Sequence, residues 1–380
     1  MLGLFLKILY VLKSQVKNKI ISIVIPTFNE QNNISGIIDQ LLKLDITYEI
    51  EIIVVDDNSI DGTAAFVREF SRIDRRVRLI IRMGRSGLSS AIKEGCLCAS
   101  GEVIAVMDAD GQHDPIYIEK ALNELEKNKV DILVGSRFIE GSKIKGLSKR
   151  RERSSSIANY LARLSLYGFY NHLTDYMSGF ILFKRNSCIK FIEKIDVNGF
   201  KFFYELLALS KGKLKVIEIP LVFKERIYGN SKLDLPVVWD FLISLIHSFI
   251  RRIIPRRAVS FALVGSTGVV VQLLTIYFFM MATSFDFEQV LPVGVVIAAS
   301  SNFTINNFFT FRTNKLSGKR FYFGLMKFLL VSSLPIIANI GITTLFYSQL
   351  SINSFISQIV GILVVFIWNY AASSKIVWNN

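Results

Sequence analysis

The chain of 380 residues has only three cysteines, three histidines and seven prolines. An odd set of three cysteines, two of them (Cys96 and Cys98) two positions apart in a helix-like stretch, reads as packed cytosolic thiols and excludes a disulfide-rich secreted module. His113, His172 and His247 are scattered, which argues against zinc chemistry. The composition as a whole excludes collagen, coiled coil and a disordered chain. A cleavable leader is not expected at the N-terminus. Met1 to Leu12 is apolar for about a dozen residues, short of the roughly 20 a spanning helix needs, and no small-residue cleavage site follows. Residues 1–19 are therefore expected to form a short interfacial segment on the membrane.

What the chain does have is an excess of base and of apolar surface. There are 45 Lys and Arg against 31 Asp and Glu, a net charge of +14, yet 51% of the residues are hydrophobic and 30 are Phe. The two excesses separate at Arg257. Residues 258–380 hold six Lys/Arg and two acids, so most of the charge belongs to the first 257 residues. A basic globular domain followed by a membrane domain accounts for both.

Four apolar runs follow Arg257, at 258–283, 290–311, 325–348 and 353–372, each long enough to cross about 30 Å of hydrocarbon. The linker 284–289 carries Asp286 and Glu288, while Arg312, Lys315, Lys319 and Arg320 lie between the second and third runs. Arg251, Arg252, Arg256 and Arg257 precede the first run, and Lys375 follows the fourth. By the positive-inside rule the large domain and both termini are cytoplasmic, in a multi-pass protein of the cell membrane. The runs also repeat at an offset of 67, with Phe261 matching Phe328, Asn302 matching Asn369 and Phe311 matching Trp378. That spacing predicts a four-helix transmembrane domain, 258–380, made of two tandem hairpins. Amides at Gln272, Asn302, Asn306, Asn307, Asn339 and Asn369 border or enter the spans, as interhelical hydrogen-bonding groups or as a polar track for a lipid headgroup.

Residues 236–257 read as a juxtamembrane amphipathic helix. Asp240, Ser244, His247 and Arg251 mark its polar stripe, and Val238, Phe241, Leu242, Leu245 and Phe249 would face lipid. Residues 156–167 look similar and follow the basic run from Lys143 to Arg153, which suits anionic lipid or a phosphate headgroup. No aromatic-rich nucleic-acid motif accompanies the charge, so nucleic acid is not an expected partner.

Residues 20–235 alternate strands with helices. Ile20–Ile25, Glu51–Val55, Arg78–Arg82, Val103–Met107 and Val130–Val134 read as strands, with helices at 32–44, 61–73, 86–99 and 115–128. This predicts an α/β domain on a mostly parallel sheet, whose ligands bind at the carboxyl ends of the strands. Those ends are polar and acidic: Pro26-Thr27-Phe28-Asn29-Glu30, Val55-Asp56-Asp57 and Asp108-Ala109-Asp110-Gly111-Gln112. Carboxylates flanking one residue can ligate a hard divalent ion that takes phosphate oxygens for its remaining positions.

These stretches resemble a family 2 glycosyltransferase of the GT-A fold, and within it the dolichol-phosphate mannose synthase and polyprenyl-phosphate glucosyltransferase (GtrB-like) group. Gly87-Leu88-Ser89-Ser90-Ala91, Gly135-Ser136-Arg137, Asp175 to Phe180, and Arg226 with Gly229 to Lys232 support the likeness. The membrane half resembles a GtrA-like domain through Asn306-Asn307-Phe308-Phe309-Thr310-Phe311. The resemblance implies transfer of a hexose, mannose or glucose, from a nucleotide sugar (GDP-mannose or UDP-glucose) to polyprenyl phosphate, metal-dependent and inverting. It implies that Pro26, Phe28, Glu30, Val55 and Asp57 hold the base and ribose. Asp108, Ala109, Asp110 and Gln112 would meet the diphosphate, with Asp108, Asp110 and Gln112 on Mg²⁺ or Mn²⁺. Arg137, Arg226 and Lys232 would neutralise phosphates, and Arg137, Arg151 and Ser155 would meet the acceptor phosphate. Asp110, Arg137 and Asp175 are the catalytic expectation. A processive polysaccharide synthase is the nearest rival, but its Gln-x-x-Arg-Trp motif is absent. A flippase or scaffold with an inactive transferase domain is the other.

Overall fold

The computed structural model describes residues 19–83, 87–144, 149–196, 201–225, 235–344 and 354–378, and of 149–151, 288, 313, 334–344 and 354–362 the backbone alone. It divides into two units, Met1–Phe249 and Ile250–Asn380.

In the first unit β1 (Ile20–Thr27), α1 (Gln31–Leu42), β2 (Glu49–Asp56), α2 (Thr63–Ile73), β3 (Val77–Ile81), α3 (Leu88–Cys98), β4 (Val103–Val106), α4 (Tyr117–Lys127) and β5 (Ile132–Ser136) follow the expected alternation. Then come β6 (Lys143–Ile144), α5 (Lys149–Ser165), β7 (Ile181–Lys184), α6 (Arg185–Ile192), α7 (Phe202–Ser210), β8 (Val216–Pro220), β9 (Val222–Phe223) and α8 (Leu235–Phe249). Seven strands form one sheet in the order β3-β2-β1-β4-β7-β5-β8, parallel except for β7, which runs antiparallel to both neighbours. β6 and β9 make a separate parallel pair.

β1 is β-branched almost throughout and buried on both faces, as a central parallel strand must be. Ile21, Ile23 and Ile25 face one helical layer, which includes Ile34, Ile37, Ile38 and Leu41 of α1 and Ile118, Leu122 and Leu125 of α4. Both helices carry these residues three and four apart, which makes one apolar stripe each. Val24, on the opposite face, packs on α3 in a cluster that also holds residues of α6 and α7. Gly95 of α3 sits directly over Val24 and Val55, where any Cβ would collide with both side chains. Strand order reverses between β1 and β4, and the crevice at such a reversal is where doubly wound sheets bind ligands.

α8 departs from the expected lipid-facing stripe. Phe241 and Leu245 join the protein core, with Phe241 edge-on to Tyr204 at 6.3 Å. Val238, Leu242 and Phe249 remain exposed. α8 packs on α5, whose Ile157, Tyr160 and Leu164 are also exposed. The Tyr167 hydroxyl donates to the Phe249 carbonyl and ties the two helices' ends together.

The second unit holds α9 (Arg256–Ala282), α10 (Phe287–Phe308), a 3₁₀ turn (Arg312–Asn314), α11 (Lys319–Thr344) and α12 (Ser354–Ala372), followed by a π turn at Ser373–Val377. α9 packs along α10 and α11 along α12. Among the described residues α9 alone is long and apolar enough to qualify as a membrane span by itself. α10 carries Ser300, Ser301, Asn302, Asn306 and Asn307, which lower its hydropathy. Asn307 fulfils the hydrogen-bonding expectation: it donates to the Leu316 carbonyl (3.0 Å) and accepts from the Leu316 amide (2.8 Å) and Trp378 Nε1 (3.0 Å). The Trp378 ring stacks on Phe311 at 4.2 Å and on Phe303 at 5.3 Å. Buried Oδ1 atoms of Asn302, Asn306 and Asn369 have no protein donor. Gln272 borders Gly294 of the neighbouring helix, and Asn339 lies where the backbone alone is described.

One polar cluster fastens the sheet at the end away from the crevice. Glu51 accepts from Ser22 Oγ (2.5 Å), the Ser100 amide (3.0 Å), Ser100 Oγ (2.8 Å) and Arg78. Burial alone would raise the Glu51 pKa, but these donors outweigh it and hold it below the ordinary carboxylate value. A depressed folded-state pKa adds stability above the unfolded pKa, and this is lost as pH falls through the folded pKa. Glu51→Gln is expected to cost about 1–3 kcal/mol at neutral pH, because it leaves donors short of an acceptor. The gap to wild type should narrow on acidification below the carboxylate range. Thermal unfolding of both proteins in detergent across pH measures it.

Candidate active site

At the carboxyl end of β1 and β2 the backbone is set by carboxylates that bind their own loops. Asp56, fully buried, accepts from Thr27 Oγ1 (3.0 Å) and the Ser59 amide (2.9 Å). Its neighbour Asp57 receives Arg82 Nη1 on one oxygen (2.9 Å) and the Gly87 amide on the other (2.8 Å). Arg82 also pairs with Glu94 at 3.0 Å, so this cation bridges two acids beneath the crevice. Pro26 and Val55 are buried and paired in register across β1 and β2. Phe28 is half-buried. The Glu30 amide donates to Thr63 Oγ1 (2.9 Å) and its carboxylate accepts from Asn33 (2.8 Å).

The β4 end carries the acidic pair. Asp110 is 5% exposed and accepts the Gln112 amide at 3.1 Å. The Asp108 side chain is 34% exposed, and its amide donates to Nδ1 of the buried His113 (3.3 Å). That bond places the His113 proton on Nε2. The His113 ring is held edge-on between Phe180 (5.7 Å) and Phe223 (5.6 Å). Gln112 is stitched to the segment after β9: its Nε2 donates to the Lys224 carbonyl (3.2 Å), and the Lys224 amide returns to the Gln112 carbonyl (3.0 Å). Ala109 is buried between the two acids. Gly179 lies against the Asp108 carboxylate, where any Cβ would collide with it.

Two cations are close enough to feel Asp108. Arg137, just beyond β5, makes a two-point bond to Asp175, Nε to Oδ2 at 2.7 Å and Nη2 to Oδ1 at 2.9 Å. Asp175 has no exposed surface and also accepts the Arg137 amide (3.3 Å) and the Met177 amide (3.1 Å). Both its oxygens are therefore occupied, which suits a group that aims Arg137 better than a proton acceptor. Burial alone would lower the Arg137 pKa, but Asp175 and then Asp108 more than compensate and keep it charged. The guanidinium lies over the rings of Phe138 (5.3 Å) and Phe223 (5.5 Å). Lys201, at the start of α7, feels Asp108, Arg137 and Asp175. Loss of hydration pushes its pKa down, Asp108 opposes that, Arg137 reinforces it and Asp175 opposes it.

Among the described residues no three His, Cys, Asp or Glu side chains gather as a metal cage. Asp108, Asp110 and Gln112 still suit a hard divalent ion that draws its other ligands from phosphate and water. Asp108 is accessible, and His113 Nδ1 stands 3.8 Å from its Oδ2. Ser155 lies one turn from Asn159 on α5, and Asn159 Oδ1 holds the Tyr176 amide at 2.9 Å, next to Asp175. Arg226 and Lys232 lie outside the described residues, as does the Arg151 side chain. Sequence patterns had pointed to neither Lys201, Arg82 nor His113. Arg82 ends a strand whose neighbours carry acids, a signal that was available; Lys201 follows no motif.

The profile of glycosyl transferase family 2 matches residues 22–191, and that of the GtrA/DPMS transmembrane domain matches 260–378. A dolichol-phosphate mannosyltransferase of Pyrococcus furiosus is 30% identical over 361 residues, covering 94% of this chain and 99% of the relative. The chain belongs to this family of glycosyltransferases. A polyprenol monophosphomannose synthase of Mycolicibacterium smegmatis is 32% identical over 219 residues, 56% of this chain and 80% of that one. Among solved structures, a glucosyl-3-phosphoglycerate synthase of Mycobacterium tuberculosis aligns at 18% identity with a TM-score of 0.43, over 62% of this chain and 80% of that one. The glycosyltransferase is thus of the dolichol-phosphate mannosyltransferase type, with a GT-A-like α/β domain and a GtrA-like membrane domain. It is a membrane protein.

Gly179→Ala should force the Asp108 carboxylate aside. Sugar transfer is expected to fall by about a hundredfold, the cost of roughly 1 Å of misplacement at a reacting centre. Thermal unfolding in parallel should move little, which separates displacement from misfolding.

Proposed function

We propose that the enzyme transfers a hexose from a nucleotide sugar to a polyprenyl phosphate at the cytoplasmic membrane face, in one inverting displacement. The observation that carries this reading is the closeness of opposite charges at the β4 and β5 ends: the Asp108 carboxylate, two residues from the buried Asp110, acts on both Arg137 and Lys201. A metal-binding acidic pair beside fixed cations suits two phosphorylated reactants, because it holds both and screens their repulsion. The P. furiosus and M. smegmatis relatives, by name, act with dolichol phosphate and polyprenol, which supports the acceptor class.

In this reading Pro26, Phe28, Glu30, Val55 and Asp57 take the base and ribose of GDP-mannose or UDP-glucose. Asp108, Asp110 and Gln112 hold Mg²⁺ or Mn²⁺, which when bound neutralises charge on the diphosphate leaving group. Arg137 binds phosphate through the guanidinium edge that Asp175 leaves unused. Arg226 and Lys232 add positive charge for the donor, and Arg151 and Ser155 meet the acceptor. A lipid monophosphate is already an anion at neutral pH, so its oxygen attacks the anomeric carbon without a general base. The nucleotide diphosphate departs from the opposite side.

Residues 20–235 form the catalytic domain and 258–380 the membrane domain, with spans at 258–283, 290–311, 325–348 and 353–372 as two tandem hairpins. Both termini are cytoplasmic. The exposed apolar residues of α5 and α8, beside Arg153 and Arg163, support a catalytic domain that rests on the bilayer at the acceptor's headgroup level. Unpartnered amide oxygens at Asn302, Asn306 and Asn369 favour a second role for the membrane half, contact with a hydroxyl-bearing headgroup.

The test is incubation of the purified full chain with labelled GDP-mannose and UDP-glucose, with and without polyprenyl phosphate and divalent metal. Labelled polyprenyl-phosphate hexose is expected from one donor only. Asp110→Asn should lower that yield by about 10²–10³-fold. Full metal-dependent turnover by this variant, or equal product without the lipid, overturns the reading.

A further inference from the structure

Glu218 lies on β8, the edge strand of the large sheet, paired in register with Val134 of β5. No motif marks it, and the transfer reaction assigns it nothing. Its carboxylate nevertheless gathers four hydrogen bonds from two consecutive residues. The Thr174 amide donates to both oxygens, at 2.9 and 3.0 Å, Thr174 Oγ1 donates to Oε2 at 3.0 Å, and the Asp175 amide donates to Oε1 at 2.9 Å. Thr174 Oγ1 also meets Ser136 Oγ at 2.7 Å, and Ser136 Oγ accepts the Phe138 amide at 3.1 Å. Glu218 thereby joins the 174–175 segment to β8, and Ser136 joins the same segment to the end of β5. Arg137 lies between these ties.

Among the described residues the donors on Glu218 are neutral amides and a hydroxyl, so the carboxylate holds backbone. Held backbone has one consequence here. The Asp175 amide fixed by Glu218 belongs to the residue whose carboxylate grips Arg137 at two points. A two-point bond transmits orientation as well as charge, because a guanidinium clamped through Nε and Nη2 cannot rotate about its own axis. We propose that Glu218 is a positioning residue for catalysis: it fixes Asp175, which in turn aims the remaining edge of Arg137 at substrate phosphate. This rests on the reading of Arg137 as a phosphate-binding group. It adds a residue from the sheet edge to the apparatus, acting through two others without touching substrate.

A general stabilising role and a positioning role separate in a double-mutant cycle. Steady-state transfer by the full chain is measured for wild type, Glu218→Ala, Glu218→Gln, Arg137→Lys and the Arg137→Lys/Glu218→Ala double variant, with thermal unfolding of each. Lysine keeps the charge but cannot make the two-point bond. Glu218→Ala is expected to lower kcat/KM about 10–100-fold, the range of supporting groups around a site. Glu218→Gln keeps an acceptor for both amides and should recover to within about threefold. In the Arg137→Lys background, where the grip on Asp175 is already lost, Glu218→Ala should add less than about twofold. Should Glu218→Ala not fold, Glu218→Asp, too short to reach both amides, replaces it. Wild-type turnover in Glu218→Ala overturns the proposal, as does the same loss in both backgrounds, while leaving Arg137 in its role. Wild-type turnover in Arg137→Lys and Arg137→Ala overturns the reading of Arg137 and the proposal with it.

Discussion

Arg137 and Asp175 meet where water reaches neither side chain freely. Asp175 has no exposed surface, and Arg137 is nearly covered by Phe138, Phe223 and the carboxylate itself. Removing either charge would strand the other away from water, at a cost of about 3–5 kcal/mol. The pair is therefore a joint as well as a charge. It connects the end of β5 to the segment that enters β7, the antiparallel strand placed between β4 and β5. Because β7 separates β4 from β5, the acids and the guanidinium end strands that are one strand apart, close enough for Asp108 to act on Arg137. Their spacing depends on the joint holding. Lys201 comes to the same region from the start of α7, where loss of hydration pushes its pKa down and Asp108 opposes the shift.

The membrane unit meets a related demand by other means. Without water, a buried amide must find a protein partner, and Asn307 finds three, around the turn that leads to α11. Trp378 adds a stacked ring on Phe311 and Phe303 and an N–H for Asn307, so one side chain closes both an aromatic and a polar contact. Asn314 returns a bond to the Trp378 carbonyl at 3.0 Å. The whole cluster sits where the basic linker begins.

How much of this was legible beforehand follows from how local each feature is. Five parallel strands and four helices could be read because Ile21, Ile23 and Ile25, or Ile34, Ile38 and Leu41, write their periodicity within a dozen residues. The acidic strand ends were visible for the same reason. β7 was not, since four residues after a loop carry no period and their antiparallel placement is decided by β4 and β5, 75 and 45 residues earlier. Asp175 was named, but its closed set of partners is a property of three distant segments. The α8 stripe was legible as a helix, whereas the burial of Phe241 and Leu245 against α7 and its neighbours depends on what arrives beside them.

Asp57 already has both oxygens occupied, by Arg82 and the Gly87 amide, before any donor arrives. A nucleobase that bonds there would exchange one set of partners for another, and an exchange contributes little net free energy. Grip would then come from the phosphates, while the base acts as a credential checked at low cost. A pocket of that kind rejects a wrong base by leaving Asp57 or Arg82 unpaired, and it lets the spent diphosphate go once the sugar has left. In the proposed reading, discrimination and release would then share one pair of residues, Asp57 and Arg82.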